Sequence, residues 1–284
     1  MRRDPAAIVA AHRMDKARRE LYVEGVRDKV FLEWLVGLSK DLDCQIFVID
    51  MVDVPDVSEG GNRARLLAFL REMESTNARL RGFVDSDHDR ILGIEESRSN
   101  VWITDHRDLE SYVISEGNID ATLRAGCGLV FPTACTVYNE AAVHARFIAA
   151  IRVYSFRSGL DLPVSAGRWA KHVRCQQDGS VALDRAKVLR SLLQSAGHSL
   201  GMMDGLAEGV EAVEEEVSVV QDRDLIQGKD FMTILTKQLA ALGVRVDSAT
   251  HLVFATFDRA SVSTFRSLAA VASYVSVEPG RRAA

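Results

Sequence analysis

The sequence predicts an α/β protein: a mostly parallel sheet flanked by helices, followed by a mainly helical C-terminal region. Three observations predict it. Over the first third, short β-rich apolar runs alternate with segments of helical spacing, and parallel strands need such crossover connections. After about residue 115, long amphipathic stretches take over. Turn signals, SGLDLP, QQDGS and GHSLGMMDG, separate those stretches.

The elements follow in order. Residues 1–18 read as an N-terminal helical segment. Arg19 to Glu24, RELYVE, reads as a strand closing on a glycine, and Asp28 to Leu38 has apolar residues at helical spacing. Asp28 is expected to be the N-cap of a helix that begins at Lys29. CQIFVID, 44–50, is a second strand, Asn62 to Met73 a second helix, LRGFVD, 80–85, a third strand and NVWIT, 100–104, a fourth. The later helices are read at Ala134 to Phe156, Ser180 to Ser195, Leu206 to Gln227, Asp230 to Leu242 and Asp258 to Tyr274. Asp230 is expected to cap its helix, with Lys229 exposed. The acidic EGVEAVEEE, 208–216, reads as a solvated helix face. These boundaries suggest a sheet domain over 19–115 and a helical domain over 116–284 for partner binding or dimerisation.

With 284 residues, 47% of them hydrophobic, 26% charged and five prolines, the composition is that of a soluble globular protein. No apolar run is long enough for a signal peptide or a membrane span, so a cytoplasmic protein without membrane contact is expected. Cys44, Cys127, Cys135 and Cys175 form no CxxC pair and read as free thiols. A net charge of -5 argues against a generally basic nucleic-acid-binding surface. It does not exclude a nuclease, whose acidic site is neutralised by metal ions.

Acids collect beyond the carboxyl ends of the expected strands, where open α/β sheets bind ligands. Glu24 ends the first strand, Asp85 and Asp87 end the third in GFVDSDHDR, and TDHRDLE brings Asp105, Asp108 and Glu110 after the fourth. Strands one and three can be neighbours, so their acids can converge. Converging carboxylates repel one another, and a divalent cation resolves the conflict. Hard oxygen ligands suit Mg²⁺ or Mn²⁺, which would polarise a phosphodiester and activate water. Glu24 would be a general base or a further ligand. Each acid also has a structural reading, since an Asp after a strand often caps a helix or closes an Asx turn. Asp89 and His88 are second-tier candidates beside the pair, as are Asp105, Asp108 and His106. Arg90 and Arg107 are phosphate clamps or local salt-bridge partners.

Together, Glu24-Gly25 with Asp28, and Asp85-x-Asp87, resemble the Toprim domain of topoisomerases, bacterial primases and OLD-family nucleases. The fuller pattern YVEGVRDKVFLEWL, GFVDSDHDR and TDHRDLESYVIS resembles a Toprim-like family long labelled as a domain of unknown function. Its members include the Toprim nuclease effector of PARIS anti-phage systems. QGKDFMTIL, 227–235, is similar to a short element in that family's helical part.

The resemblance implies Glu24 as catalytic glutamate, Asp85 and Asp87 as metal ligands and Glu110 as a further active-site acid. It further implies Mg²⁺-dependent cleavage of RNA, with tRNA one substrate, or of DNA. Control would come from a partner ATPase of the ABC or OLD type, in abortive infection. The Walker A pattern of the OLD ATPase module is absent from this sequence. Two other functions fit the same acids: a regulatory module that binds metal or nucleotide without turnover, and a DxD phosphatase in which one Asp is the nucleophile.

Overall fold

The structure is a computed structural model that describes residues 2–35, 44–54, 61–76, 78–94, 96, 98–128 and 134–275. Helix α1 (Pro5–Met14) begins where Asp4 accepts the Ala6 N–H, with Pro5 preset for the first turn. Strand β1 (Arg19–Val23) follows, then α2 (Val26–Leu35), β2 (Cys44–Val48), α3 (Gly61–Met73), β3 (Leu80–Val84), the single turn α4 (Asp89–Leu92) and β4 (Val101–Ile103). The first helix read from sequence runs on to Leu38; residues 36–38 lie outside the described residues.

All four strands are parallel, in the order β2-β1-β3-β4. β1 and β3 are the central pair and are buried almost throughout. That burial is why the carboxyl-terminal halves of both, Leu21–Val23 and Phe83–Val84, are apolar on successive residues. Gly82 of β3 is a close-approach residue: a Cβ there would lie 2.1 Å from Leu70 Cδ1 of α3. Leu70 joins Leu66, Phe69 and Met73 of α3 in a core with Tyr22, Ile49, Leu80 and Val84. Tyr22 packs edge-on against Phe69 and stacks on Phe47.

Beyond β4 come α5 (Glu116–Ala121), the 25-residue α6 (Ala134–Ser158), α7 (Ala166–Trp169), a two-stranded antiparallel ribbon β5 (Val173–Cys175) and β6 (Val181–Leu183), α8 (Arg185–Ser195), α9 (Met203–Glu216), α10 (Asp222–Leu225), α11 (Gly228–Ala241) and α12 (Ala249–Ala255). The last helix, α13 (Arg266–Val275), touches both edge strands of the parallel sheet, β2 and β4. Its first turn is capped by Asp105, whose carboxylate accepts the N–H groups of Ser267 and Leu268.

The chain forms two compact units. The first holds residues 1–89, 93–105 and 258–284, the second 90–92 and 106–257. Residues 106–115, read from sequence with the sheet, thus fall in the helical unit, and 258–284 fall with the sheet.

Three helix readings change. Ser180 to Ser195 is a strand followed by a helix, because QQDGS is the tip of the β5–β6 ribbon and Asp184 then caps α8. Leu206 to Gln227 divides into α9 and α10 around a 3₁₀ turn at Val217–Val219. Asp258 to Tyr274 divides likewise, with a 3₁₀ segment at Arg259–Thr264 before α13. In α9 the acidic face is solvated as expected, with Glu214 and Glu216 paired to Arg185 and Arg157. Among the described residues no helix is long and apolar enough to cross a membrane.

Candidate active site

The chain reverses direction across the sheet between β1 and β3, since β2 is added on one side of β1 and β3 on the other. The crevice beyond the carboxyl ends of two such strands is where open α/β sheets bind ligands. Glu24 leaves β1 there, and Asp85 leaves β3.

One hydrogen bond joins them. Glu24 Oε1 accepts the Asp85 backbone N–H at 2.9 Å, across 61 residues of sequence. The first turn of α3 supplies the support: Asn62 donates to the Glu24 carbonyl at 2.9 Å, and Arg63 Nε to the Asp85 carbonyl at 3.1 Å. Arg63 also pairs with the buried Asp89, and its Nε lies 3.7 Å from Asp87 Oδ2. Asp87 has φ of 49°, a left-handed conformation that Asp tolerates better than most residues. The next strand braces the loop, because Ser86 N–H donates to Thr104 Oγ1 at 2.9 Å.

Asp28 is a different residue from the N-cap expected. Because α2 starts at Val26, Asp28 is the third helical position, and its carboxylate reaches back to the Gly25 N–H at 2.8 Å. That is the reciprocal half of a capping box, and it keeps a second carboxylate near Glu24.

The electrostatics follow from this crowding. Burial, then the charges of Asp87 and Asp28, push Glu24 from the ordinary 4.5 up to about 7, against the Asp85 N–H and Arg63, which favour its charged form. Glu24 therefore holds a proton far more readily than a solvated glutamate does. Hard oxygen donors in mutual repulsion are the donor chemistry a divalent cation favours. Among the described residues, however, no group of three or more His, Cys, Asp or Glu side chains is already arranged to hold a metal ion.

The structure thus gathers Glu24, Asp85 and Asp87 at one end of the sheet, with Asp89 turned onto Arg63. His88 stands at the N-cap position of α4 and makes no side-chain capping bond. Asp105 caps α13. Arg63 and Asn62 are the supporting residues that the sequence reading missed. An Asn-Arg pair at a helix start carries no periodic or motif signal, and only the fold shows which loop it meets.

The remaining candidates lie in the second unit and are engaged there. Asp108 Oδ1 accepts from Ser111 N–H and Oγ at 2.9 and 2.6 Å, and its Oδ2 accepts the Gly228 N–H at 2.7 Å. Arg107 is buried and donates to the Leu225 carbonyl, so its guanidinium is a lock on α10 and not a phosphate clamp. His106 Nδ1 meets Asp224 Oδ1 at 3.0 Å, and Arg90 reaches the same oxygen at 3.3 Å. Glu110 is buried at the start of a 3₁₀ turn, Glu110–Val113.

QGKDFMTIL meets this segment directly. A Cβ at Gly228 would lie 2.3 Å from Glu110 Cβ and 2.8 Å from Asp108 Oδ1. Gly228→Ala is expected to destabilise the protein by about 2 kcal/mol or more through overpacking, read as a lowered midpoint in urea. Asp230 is likewise not the expected cap: α11 starts at Gly228, and Asp230 is buried and ion-paired with Arg152. Lys229 is exposed as expected.

Comparison with protein-family models finds none that matches the chain, and comparison with curated proteins finds no match either.

Proposed function

We propose that the chain is a Toprim-like, Mg²⁺- or Mn²⁺-dependent nuclease that hydrolyses phosphodiester bonds at the crevice beyond β1 and β3. The observation that carries the proposal is the convergence of Glu24 with the Asp85–Asp87 loop at the point where the sheet topology reverses. Glu24, Asp85 and Asp87 would hold the cation, which when bound supplies Lewis-acid polarisation of a phosphate and a more acidic water. Mg²⁺ commonly takes only one or two carboxylates and keeps several waters, so a closed cage of side chains is not required.

The protein's own groups have separable tasks in this reading. Glu24, with its proton affinity raised toward neutrality, accepts a proton from the attacking water or completes the cation's ligands. Arg63 fixes the Asp85 carbonyl and the Asp89 carboxylate, which sets the loop that presents Asp87. The resemblance of these motifs to the Toprim-like effectors supports RNA, tRNA included, or DNA as substrate. It also supports a partner ATPase of the ABC or OLD type and a role in anti-phage defence in the cytoplasm. The helical unit is the proposed seat of partner binding or dimerisation.

A second reading is favoured by one feature: Arg63 already neutralises part of the acidic charge, as in a regulatory site without turnover. Cleavage of labelled RNA and DNA by the full chain, with its ATPase partner and Mg²⁺, separates the two. The nuclease reading expects Mg²⁺-dependent product that falls about a hundredfold or more in Asp87→Asn. Metal binding with no cleavage of either substrate supports the binding module instead.

A further inference from the structure

At the opposite end of the same sheet lies a cavity of about 490 Å³. Its walls are the last turn of α1, the turn leading into β1, and the connection from α3 to β3. Five residues of strand, about 17 Å, separate this end of β1 from Glu24. The two places are therefore different sites.

The lining is one-signed. His12, Arg13, Lys16 and Arg79 face the cavity with the hydroxyl residues Ser75 and Thr76, and no carboxylate is among the described lining residues. Among the described residues the side chains of Arg13, Lys16 and Arg79 have no ion-pair, hydrogen-bond or aromatic partner. Their neighbours are used differently: Arg19 lies over Tyr274, Arg81 over Trp102, and Arg3 and Arg18 pair with Glu20. Glu20, 3.6 Å from His12, is already occupied, buried and bonded by Tyr22 as well. Asp15 is turned onto the Ala17 N–H.

His12 adds a second, independent observation. Its side chain is only 3% exposed, and its Nε2 is buried with no hydrogen-bond partner, 3.6 Å from Glu20 Oε2. The negative end of α1 accounts for His12 and Arg13 as last-turn residues. It does not account for Lys16 and Arg79, which lie outside any helix. Three unpartnered cations around one concavity repel one another, and an anion reverses the sign of that interaction.

From this lining we infer that the cavity binds a small phosphate-bearing ligand of nucleotide size. The volume falls in the range of small-molecule sites, and a concave pocket suits a compact ligand better than an extended strand. Arg13, Lys16 and Arg79 would hold the phosphate oxygens, with Ser75 as a further donor and Val9 and Ala78 as apolar wall. The inference does not depend on the metal site, and the two fail separately.

Isothermal titration calorimetry on the full chain in EDTA at low ionic strength tests it, with adenosine 5′-monophosphate and inorganic phosphate as probes. One equivalent of the nucleotide is expected to bind, at least tenfold more weakly in the Lys16→Glu/Arg79→Glu variant and unchanged in Glu24→Gln. Equal affinity for inorganic phosphate places recognition in the phosphate alone; tighter nucleotide binding adds the apolar wall. Because all three cations are exposed, circular dichroism should show an intact fold. Should the double variant fail to fold, Arg13→Gln must weaken binding about threefold. No saturable heat with either probe, or undiminished binding in these variants, overturns the inference. So does binding seen only with a single-stranded oligonucleotide and lost on charge reversal, which would make the cavity a strand-binding surface.

Discussion

Glu24→Gln is expected to remove metal-dependent cleavage while making the metal-free protein more stable above neutrality. On activity, the variant loses an anionic ligand and the carboxylate proposed to take the proton of the attacking water, a drop of about a hundredfold or more in kcat/KM. On stability, the sign follows from linkage. Because Glu24 titrates near 7 in the fold and at 4.5 ordinarily, the folded state holds the extra proton between those values. The stabilisation present below about 4.5 is lost as the pH rises to about 7, an effect on the order of 2–3 kcal/mol. Gln cannot ionise and escapes that loss. Thermal melts in EDTA should place the variant several degrees above the wild type at pH 8 and level with it near pH 4. A variant less stable than the wild type at pH 8 contradicts the assigned electrostatics.

Asp230→Ala is expected to be the most damaging single substitution for stability in the helical unit. Asp230 is 2% exposed, and both its carboxylate oxygens meet the Arg152 guanidinium, which also donates to the Val164 carbonyl at 2.7 Å. Removing one member of such a pair leaves a poorly solvated charge behind, at a cost of about 3–5 kcal/mol. A double variant, Asp230→Ala with Arg152→Met, should recover a large part of that loss, because no charge is then stranded. Denaturant melts of the two singles and the double measure it. Equal stability of Asp230→Ala and the wild type contradicts the role given to the pair.

Much of the sheet was legible in the sequence because its central strands are buried almost throughout and sit between helical segments. The position of Glu24 opposite Asp85 followed from the same pattern, since strands β1 and β3 are neighbours in the observed order. What the pattern could not carry was of three kinds. Short strands against helices have no distinct period, so Val181–Leu183 merged with the helix behind it. Cap positions depend on where a helix starts, and α2 and α11 each start three residues earlier than expected, which puts Asp28 and Asp230 at the third helical position. Acids that satisfy backbone N–H groups look like any others in a string of letters: Asp105 caps α13 and Asp108 ties Ser111 to Gly228, partners more than a hundred residues away in two of the three cases. Arg63, which braces the acidic loop, had no motif to announce it.

Glu24 and the Asp85–Asp87 loop are proposed to form one divalent-cation site. Mn²⁺ binding to the full chain at pH 7.5, followed by the loss of the free-ion signal in electron paramagnetic resonance, tests it most directly. One saturable Mn²⁺ site is expected in the wild type, displaced by Mg²⁺, and weakened at least tenfold in both Glu24→Gln and Asp87→Asn. Mn²⁺ binding that is the same in the wild type and both variants, or no saturable binding in the wild type, contradicts it.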